Sequence, residues 1–398
     1  MFWKLQENVI SDSDLDLLGS FIKETKRFTQ FTKVAEFEAA FAKWQGCRYC
    51  VFVNSGSSAN LLLINSAIEY FGWENNDEVI VPAVTWPTTV TPVLQFGLTP
   101  VFVDVNLSDI SLNYDKVNSK ISSKTKAIFV AHLLGFPANI ARLQQIISGR
   151  NIIILEDCCE SQGAMLNGTK VGNLGVAGTF SFYWGHHMTT VEGGMLCTDN
   201  EELYKLFLLK RSHGLARELP PEYHDKLKRV HKDIDFNFLF LTDGFNIRNT
   251  EFNAVLGLAQ MARIDDFIIK RNNNYREFNK ICDIYRDELI LFDVPDISSF
   301  ALPFLFKNKE RKEKFQEIIR EGGIESRPFI SGNLLRQPFL RKYYNAIEYP
   351  NADFLHNNAF YIGNNQFVDG HRLEILTSLM GDFFGDHKRC SSRTKIAE

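Results

Sequence analysis

The sequence predicts an α/β protein built on a mostly parallel sheet with helices on both faces. Short, nearly continuous apolar runs alternate with segments of helical periodicity, as is typical of buried parallel strands joined by helices. The runs are YCVFVNS, DEVIVPA, TPVFVDV, KAIFVAHLLG, NIIILED, GTFSFYW and GGMLCTD. From about residue 250 this alternation gives way to a long helical stretch and a smaller α+β region, which predicts a second domain.

The remaining elements are assigned in chain order. Two helices are predicted before residue 50, the second ending at Gly46. Helices also follow the first and fourth runs, in SSANLLLINSAIEYFG and ANIARLQQIISGR. Residues 250–289 predict one long helix with a kink, followed by a strand in FALPFLF, a helix in ERKEKFQEIIREGG and the segment IESRPFI. We therefore expect N-terminal helices and a large domain over 1–265, a small C-terminal α/β domain over 266–385, and a polar tail over 386–398.

Bulk composition excludes several functional classes. The 398 residues are 45% hydrophobic and 23% charged, and the net charge of −4 gives no reason to expect nucleic-acid binding. No apolar run approaches the ~20 residues that span a bilayer, and the N-terminus lacks a secretory pattern. The expected location is cytoplasmic.

The seven cysteines lack the spacing of a disulfide framework, which indicates that they are thiols. Cys47 and Cys50 form a CxxC, which we interpret as structural because no second CxxC or histidine pair completes a zinc site.

Three local features could converge on one ligand at the carboxyl ends of the strands, where parallel sheets bind ligands. Ser57 and Ser58 begin a helix after a strand, which suits either a phosphate cup or an ordinary cap. Asp157 ends a buried strand, where a carboxylate needs a cationic partner such as a pyridinium nitrogen, or caps a helix. Trp86, in a loop between prolines, could stack on a flat ring or simply be buried.

Two further features lie later in the chain. In GTFSFYWGHHMTTVEGGM, Ser181 could donate to a phosphate, and either His186 or His187 could act as a general base. Adjacent histidines lack the spacing of a helical metal pair, so no metal is expected there. In GFNIRNTEFNAVLGLAQ, Asn246 and Arg248 are available to bind an anion.

Taken together, NSGSSAN, PAVTWPTT, VAHLLG, LEDCCESQGA, TFSFYWGHH and FNIRNTEFNAVLGLAQ resemble the sugar aminotransferase family of fold type I. The resemblance implies an aspartate-aminotransferase-like large domain with a seven-stranded sheet, a smaller α/β domain, and a homodimer with shared active sites. It also implies pyridoxal 5'-phosphate or pyridoxamine 5'-phosphate as cofactor. By the resemblance, Asp157 pairs with the pyridine nitrogen, Trp86 stacks on the ring, and Glu160 lies beside it where most members carry Gln. The phosphate is assigned to Ser57, Ser58 and Ser181, with Asn246 reaching it from the neighbouring subunit.

The sequence departs from the family at the cofactor-anchoring lysine. That lysine lies six residues before the Glu of EGG, and counting back from Glu192 gives His186. No lysine occurs between Lys170 and Lys205, so a shifted register cannot supply one. Imidazole forms no Schiff base with the cofactor. We therefore expect a non-covalently bound cofactor and His186 as an acid–base catalyst.

A histidine at this position resembles the sugar 3-dehydratases of the family. One kind acts on a CDP-linked 4-keto-6-deoxyglucose and carries an iron–sulfur cluster on four cysteines. Here Cys282 and Cys390 are isolated, so no cluster is expected. The other kind acts on GDP-4-keto-6-deoxymannose without a cluster, and VAHLLGFP, EDCCES, the HH pair, SRPFISGNLL and YIGNNQ are similar to it. The expected reaction removes the carbon-3 hydroxyl, with L-glutamate restoring the amino cofactor and ammonia released.

Some assignments stay open from sequence alone. Arg217 and Arg327 are candidates for the diphosphate or sugar, or are surface ion pairs. His187 is a rival base or substrate contact, or a structural residue. The competing functions are a nucleotide-sugar aminotransferase and a non-catalytic protein that binds the cofactor.

Overall fold

The computed structural model describes residues 2–341, 343–344 and 349–385. The predicted polar tail at 386–398, together with Cys390, lies outside the described residues. In the described part of the chain, no helix is both long and apolar enough to cross a membrane.

The strands before residue 200 build one large sheet and one hairpin. They are β1 (Tyr49–Val53), β2 (Glu78–Pro82), β3 (Thr99–Val103), β4 (Thr125–Ala131), β5 (Ile153–Asp157), β6 (Met165–Leu166), β7 (Thr169–Lys170), β8 (Ala177–Ser181) and β9 (Gly194–Thr198). The seven-stranded sheet has the order β1-β9-β8-β5-β4-β2-β3, and β6 pairs with β7. Strand β9 runs antiparallel to β1 and β8, and the other neighbouring pairs are parallel. The predicted α/β class with a mostly parallel seven-stranded sheet is confirmed.

Helices cover both faces of this sheet, so its strands are buried on both sides. Over β8 and β9 every residue is buried, as the continuous apolar runs predict. The helices of this part of the chain are α1 (Asp12–Glu24), α2 (Thr32–Gln45), α3 (Gly56–Phe71), α4 (Pro87–Gln95), α5 (Tyr114–Lys120), α6 (Ile140–Ile146), α7 (Glu201–Arg211), α8 (His224–Val230) and α9 (Glu251–Met261).

The C-terminal region forms a small antiparallel sheet with its own helices. Its elements are α10 (Ile264–Asp283), β10 (Ala301–Leu305), α11 (Lys309–Glu321), β11 (Ser326–Pro328), α12 (Pro338–Arg341), α13 (Pro350–Asn358), β12 (Ala359–Gly363) and α14 (Gly370–Phe384). The strands lie in the order β10-β12-β11. The single kinked helix predicted over 250–289 is two helices, α9 and α10. The chain breaks at Arg263, whose guanidinium binds the Asp14 carboxylate of α1 at 2.6 Å.

The sequence assigned the N-terminal segment to the large domain, but its first residues contact the small C-terminal region. Trp3 is fully buried, its indole N–H donates to the Gly363 carbonyl at 2.9 Å, and its backbone pairs with Ile324. The residues before α1 therefore pack on the small C-terminal sheet. The proposed boundary near residue 265 falls at the start of α10 and stays a prediction.

Candidate active site

A cavity of about 510 Å³ lies where β1, β2, β4, β5 and β8 end and the small sheet faces them. Seven of the residues singled out from sequence line it: Ser57, Trp86, Asp157, Glu160, Ser181, His186 and Arg327. Their elements are separated by up to 270 positions in the chain, from Ser57 to Arg327. The sheet brings them together because parallel strands end at one edge.

Asp157 is the most completely organised carboxylate in the cavity. Its Oδ2 accepts hydrogen bonds from the Asn60 amide and the Thr89 hydroxyl, each at 2.8 Å, and its Oδ1 accepts from the Cys159 backbone N–H at 3.1 Å. The Thr179 hydroxyl in turn donates to the Asn60 amide oxygen at 2.6 Å. Asp157 is only 6% exposed. These donors hold a carboxylate in a fixed direction without neutralising it, so the site still attracts a cation.

Asn60 and Thr89 were missed by the sequence analysis. Asn60 lies in the first turns of α3 and Thr89 in the first turn of α4, where each helix follows a strand of the sheet. A polar residue buried at such a helix start is the signal that could have found them.

The chain between β1 and α3 forms a narrow cup beside β8. The Ser55 hydroxyl caps α3 by accepting from the Ser58 backbone N–H at 3.0 Å, and the two hydroxyls also lie 3.0 Å apart. A Cβ on Gly56 would lie 2.6 Å from Ser181 Cβ. Glycine is therefore required for Ser181 to approach the helix N-terminus, whose free N–H groups attract anions. Ser58 does not line the cavity, because its hydroxyl is turned towards Ser55.

His186 enters the cavity from the loop between β8 and β9. Its Nδ1 lies 2.5 Å from the Cys159 carbonyl oxygen. A carbonyl oxygen only accepts, so Nδ1 carries the hydrogen, and in the neutral ring the lone pair is on Nε2. Burial lowers the pKa of His186 to about 4, and the charge of Arg271 adds to the effect. At neutral pH the side chain is thus a neutral base with Nε2 available.

Arg271 of α10 fixes the backbone of this loop. It is fully buried and donates to the His186 carbonyl at 3.1 Å and to the Phe300 carbonyl at 3.1 Å. The small domain thus helps to position His186, a contact that the sequence did not indicate.

His187 points away from the cavity. It is fully buried, and its Nε2 lies 3.0 Å from both the carbonyl and the hydroxyl oxygens of Ser298. Burial lowers its pKa well below the usual histidine value. The structural interpretation fits this position, and contact with a substrate in the cavity does not.

Trp86 and Glu160 line the same cavity as Asp157. Trp86 precedes α4 and is 56% exposed, so part of its surface is available for contact with a ligand. Glu160 accepts from the Leu134 backbone N–H at 2.8 Å. Burial and the negative charge of Asp157 raise the pKa of Glu160 from 4.5 to about 7.

Glu160→Gln should make the stability of the protein less dependent on pH between pH 5 and pH 8. A carboxyl whose pKa is raised on folding stabilises the fold below pH 4.5 and loses that contribution as the pH rises through about 7. Glutamine keeps the acceptor for Leu134 and carries no charge. We expect wild-type stability to fall by about 1 kcal/mol more than that of the variant between pH 5 and pH 8, after screening by solvent. Thermal unfolding at both pH values measures this, with exposed Glu222→Gln as control, and equal pH dependence in all three proteins would contradict it.

Of three other predicted site residues, one lines the cavity and two do not. Arg327 lines the cavity from β11, with its side chain 63% exposed and 4.0 Å from Glu325. Arg217 donates to the Asn237 carbonyl at 3.2 Å, and Asn246 accepts from Arg248 at 3.1 Å. Neither Arg217 nor Asn246 lines the cavity of this chain.

A family model described as the DegT/DnrJ/EryC1/StrS aminotransferase family matches residues 16–372. The chain belongs to this family. GDP-4-keto-6-deoxy-D-mannose 3-dehydratase of Yersinia pseudotuberculosis is 35% identical over 386 residues, 94% of this chain and 97% of that protein. The protein of the same name from Escherichia coli O55:H7 is 36% identical over 359 residues, 87% of this chain and 91% of that protein.

Solved structures of proteins with the same name are also similar to this chain. A mutant of GDP-4-keto-6-deoxymannose-3-dehydratase with bound GDP-perosamine superposes with a TM-score of 0.88 at 33% identity, covering 95% of this chain and all of that one. The E. coli enzyme with bound hydrated pyridoxal phosphate has a TM-score of 0.86 at 32% identity, covering 95% and 98% of the two chains. An aminotransferase of Helicobacter pylori, at 21% identity and a TM-score of 0.85 over 96% and 99% of the two chains, shows the fold alone. The expected fold type I architecture is confirmed.

Proposed function

We propose that this protein is a 3-dehydratase dependent on pyridoxamine or pyridoxal phosphate, which removes the carbon-3 hydroxyl of a nucleotide-linked 4-keto-6-deoxyhexose. GDP-4-keto-6-deoxymannose is the favoured substrate, since the relatives at 35% and 36% identity carry that name. The observation that carries the proposal is His186, which lines the cavity at the family's lysine position and leaves Nε2 free as a base.

The residues present fit the cofactor. A Cβ at position 56 would fill the cup beside Ser181, so the structure keeps that space open. We infer that Ser57, Ser181 and the α3 N-terminus hold the phosphate, Asp157 pairs with the pyridine nitrogen, and Trp86 stacks on the ring. When bound, the cofactor supplies an amino group for the keto carbon and an electron sink that a protonated ring strengthens.

Gly56→Ala should weaken cofactor retention. The new methyl group would meet Ser181 Cβ at 2.6 Å and Cys159 Sγ at 3.0 Å, and such overpacking costs about 1–3 kcal/mol. We expect the dissociation constant for pyridoxal phosphate to rise about tenfold or more, measured by fluorescence titration. Gly19→Ala in α1 meets nothing within 4 Å and serves as the control. Equal affinity for pyridoxal phosphate in the two variants would contradict the proposal that the cup beside Gly56 holds the cofactor phosphate.

The described contacts define what His186 does. Its Nδ1 stays bonded to the Cys159 carbonyl, which fixes the ring. With the cofactor bound, Nε2 would accept a proton from the cofactor carbon that carries the amino group and would return it to the hydroxyl that leaves carbon 3. Burial lowers the pKa of this imidazole, which makes its conjugate acid a stronger proton donor and its neutral ring a weaker base.

L-glutamate is the proposed amino donor, because the reaction needs a reductant. The overall balance is keto sugar plus glutamate giving a 3-deoxy-4-keto sugar, 2-oxoglutarate and ammonia. A solved structure of a relative at 31% identity contains a trapped adduct of pyridoxal phosphate with glutamate. Amine transfer to the sugar is less favoured, since no lysine occurs between Lys170 and Lys205.

We further propose a homodimer with shared active sites, in which Asn246 reaches the neighbouring chain's phosphate. The segment near Arg217 and Asn246 exposes four apolar side chains, which a partner would cover: Val230, Ile234, Phe238 and Phe240. Co-expressing an Asn246→Asp chain with a His186→Asn chain should restore activity that neither variant has alone. Failure to restore it would contradict shared sites.

The proposed setting is cytoplasmic synthesis of a deoxysugar such as colitose for lipopolysaccharide O-antigen. A Salmonella typhimurium relative, 30% identical over 88% of this chain and 84% of that protein, is named a lipopolysaccharide biosynthesis protein. The six described cysteines are free thiols, as expected in a reducing compartment.

The function is tested by incubating the protein with pyridoxal phosphate, L-glutamate and GDP-4-keto-6-deoxymannose. Mass spectrometry should show a sugar nucleotide lighter by one oxygen, with 2-oxoglutarate and ammonia formed in equal amounts. A parallel reaction uses the CDP-linked 4-keto-6-deoxyglucose. An aminated sugar, or no change with either substrate, would contradict the proposal.

A further inference from the structure

A second chemical cluster lies at the opposite end of the large sheet. The sequence alone predicts a structural role for the CxxC of Cys47 and Cys50, because no second CxxC or histidine pair completes a zinc site. The fold supplies a third thiol from a distant part of the chain, since Cys50 of β1 pairs directly with Cys197 of β9.

The three sulfur atoms converge on one point. The Sγ of Cys50 lies 3.5 Å from that of Cys47 and 3.2 Å from that of Cys197, and all three atoms lie within 4.8 Å of one another. Cys47 follows the left-handed cap Gly46, at φ 87°, which ends α2 and turns the chain back towards β1. Elements from three parts of the fold therefore aim thiols at the same place.

We propose that Cys47, Cys50 and Cys197 bind a thiophilic divalent metal ion, with zinc as the occupant. Zn–S bonds of about 2.3 Å in tetrahedral geometry separate the sulfurs by about 3.8 Å. The observed 3.2 and 3.5 Å separations reach this by side-chain shifts of a few tenths of an ångström. Binding releases the thiol protons to solvent.

The half-buried side chain of Cys47 provides access for the ion. Cys50 and Cys197 are 4% and 0% exposed, whereas Cys47 is only partly buried. An ion can enter beside Cys47 and keep a water as fourth ligand. Among the described residues the other cysteines do not belong to this cluster, namely Cys158, Cys159 and Cys282.

The metal site is structural rather than part of the reaction. Cys50 lies near the start of β1, and the cup serine Ser55 lies beyond its end, about 16 Å away at ~3.3 Å per residue. A bound ion would join the α2–β1 turn to β9 and stabilise the antiparallel edge of the sheet. This role does not depend on the proposed dehydratase activity.

Metal binding is measured on the full chain, purified under reducing conditions. The zinc content per chain is measured by elemental mass spectrometry, and the metal is then removed with a chelator. Cd²⁺ is titrated into the metal-free protein while the thiolate-to-metal charge-transfer band is followed in the ultraviolet. Cys197→Ala removes one buried ligand. Cys47→Ser, at a partly exposed position, removes another with little risk to folding, and circular dichroism checks both variants. Cys282→Ala is the matched control, a buried cysteine of α10 outside the cluster.

We expect one zinc per chain in the wild type and in Cys282→Ala. Cd²⁺ should bind both with one equivalent, and the charge-transfer band should fall by at least a third in folded Cys47→Ser, with affinity reduced at least tenfold. The wild type should also melt at a higher temperature with metal than without it. No metal binding by the reduced wild type, or an unchanged Cd²⁺ titration in Cys47→Ser and Cys197→Ala, overturns the proposal. The proposal is also overturned if the isolated protein contains a disulfide among these cysteines and binds no metal after that disulfide is reduced.

Discussion

Replacing His186 with asparagine is expected to lower dehydratase turnover by about 10²–10⁴-fold, the range contributed by a positioned acid–base group. The asparagine amide can occupy the place of Nδ1 and keep the hydrogen bond to the Cys159 carbonyl. It has no atom at the position of Nε2, so the base is lost while the loop stays in place. Single-turnover mass spectrometry of the sugar nucleotide measures the step, and pyridoxal phosphate titration should show cofactor affinity within about threefold of wild type.

Two companion variants sharpen this test. His187→Gln keeps a polar atom within reach of Ser298, and we expect a lower melting temperature with most turnover retained. His186→Lys should capture pyridoxal phosphate covalently and abolish dehydration. Dehydration that survives in His186→Asn and disappears in folded His187→Gln would assign the base to His187 instead.

Asp157→Asn is expected to lower turnover by about 10²–10³-fold, as is usual when one preorganised electrostatic contact is removed. The substitution deletes the negative charge and points an amide N–H₂ at Asn60, Thr89 or the Cys159 N–H, all of which donate to this side chain. A buried donor facing donors costs about 1–3 kcal/mol, so chemical denaturation should show reduced stability as well.

A graded control is available on the same carboxylate. Thr89→Ser keeps the hydroxyl donor and should retain turnover within about threefold, while Thr89→Val removes one of the three donors and should fall between wild type and Asp157→Asn. Wild-type turnover in Asp157→Asn, with the protein folded, would show that the charge has no role in the reaction.

Much of the fold could be read from the sequence because its signals are local. Each strand of the large sheet is a short apolar run, and Asp157 and Ser181 could be placed at strand ends by counting along those runs. The loss of the lysine is also a matter of counting, from Glu192 back to His186. The fold class was predicted from these runs and the family from the resemblance of its motifs, and both are confirmed. The roles of the individual site residues stay predictions until the variants are measured.

The tertiary structure decided the features that depend on contacts between distant residues. Periodicity does not show that Asn60 donates to Asp157 across 97 positions, or that Cys197 lies against Cys50 across 147. Counting to the lysine position favoured His186 over His187, but only the packed loop shows that His186 faces the cavity and His187 faces Ser298. The physical reason is the same in each case. Local sequence sets which face of an element is apolar, whereas the partner of a buried polar group is fixed by how the elements pack.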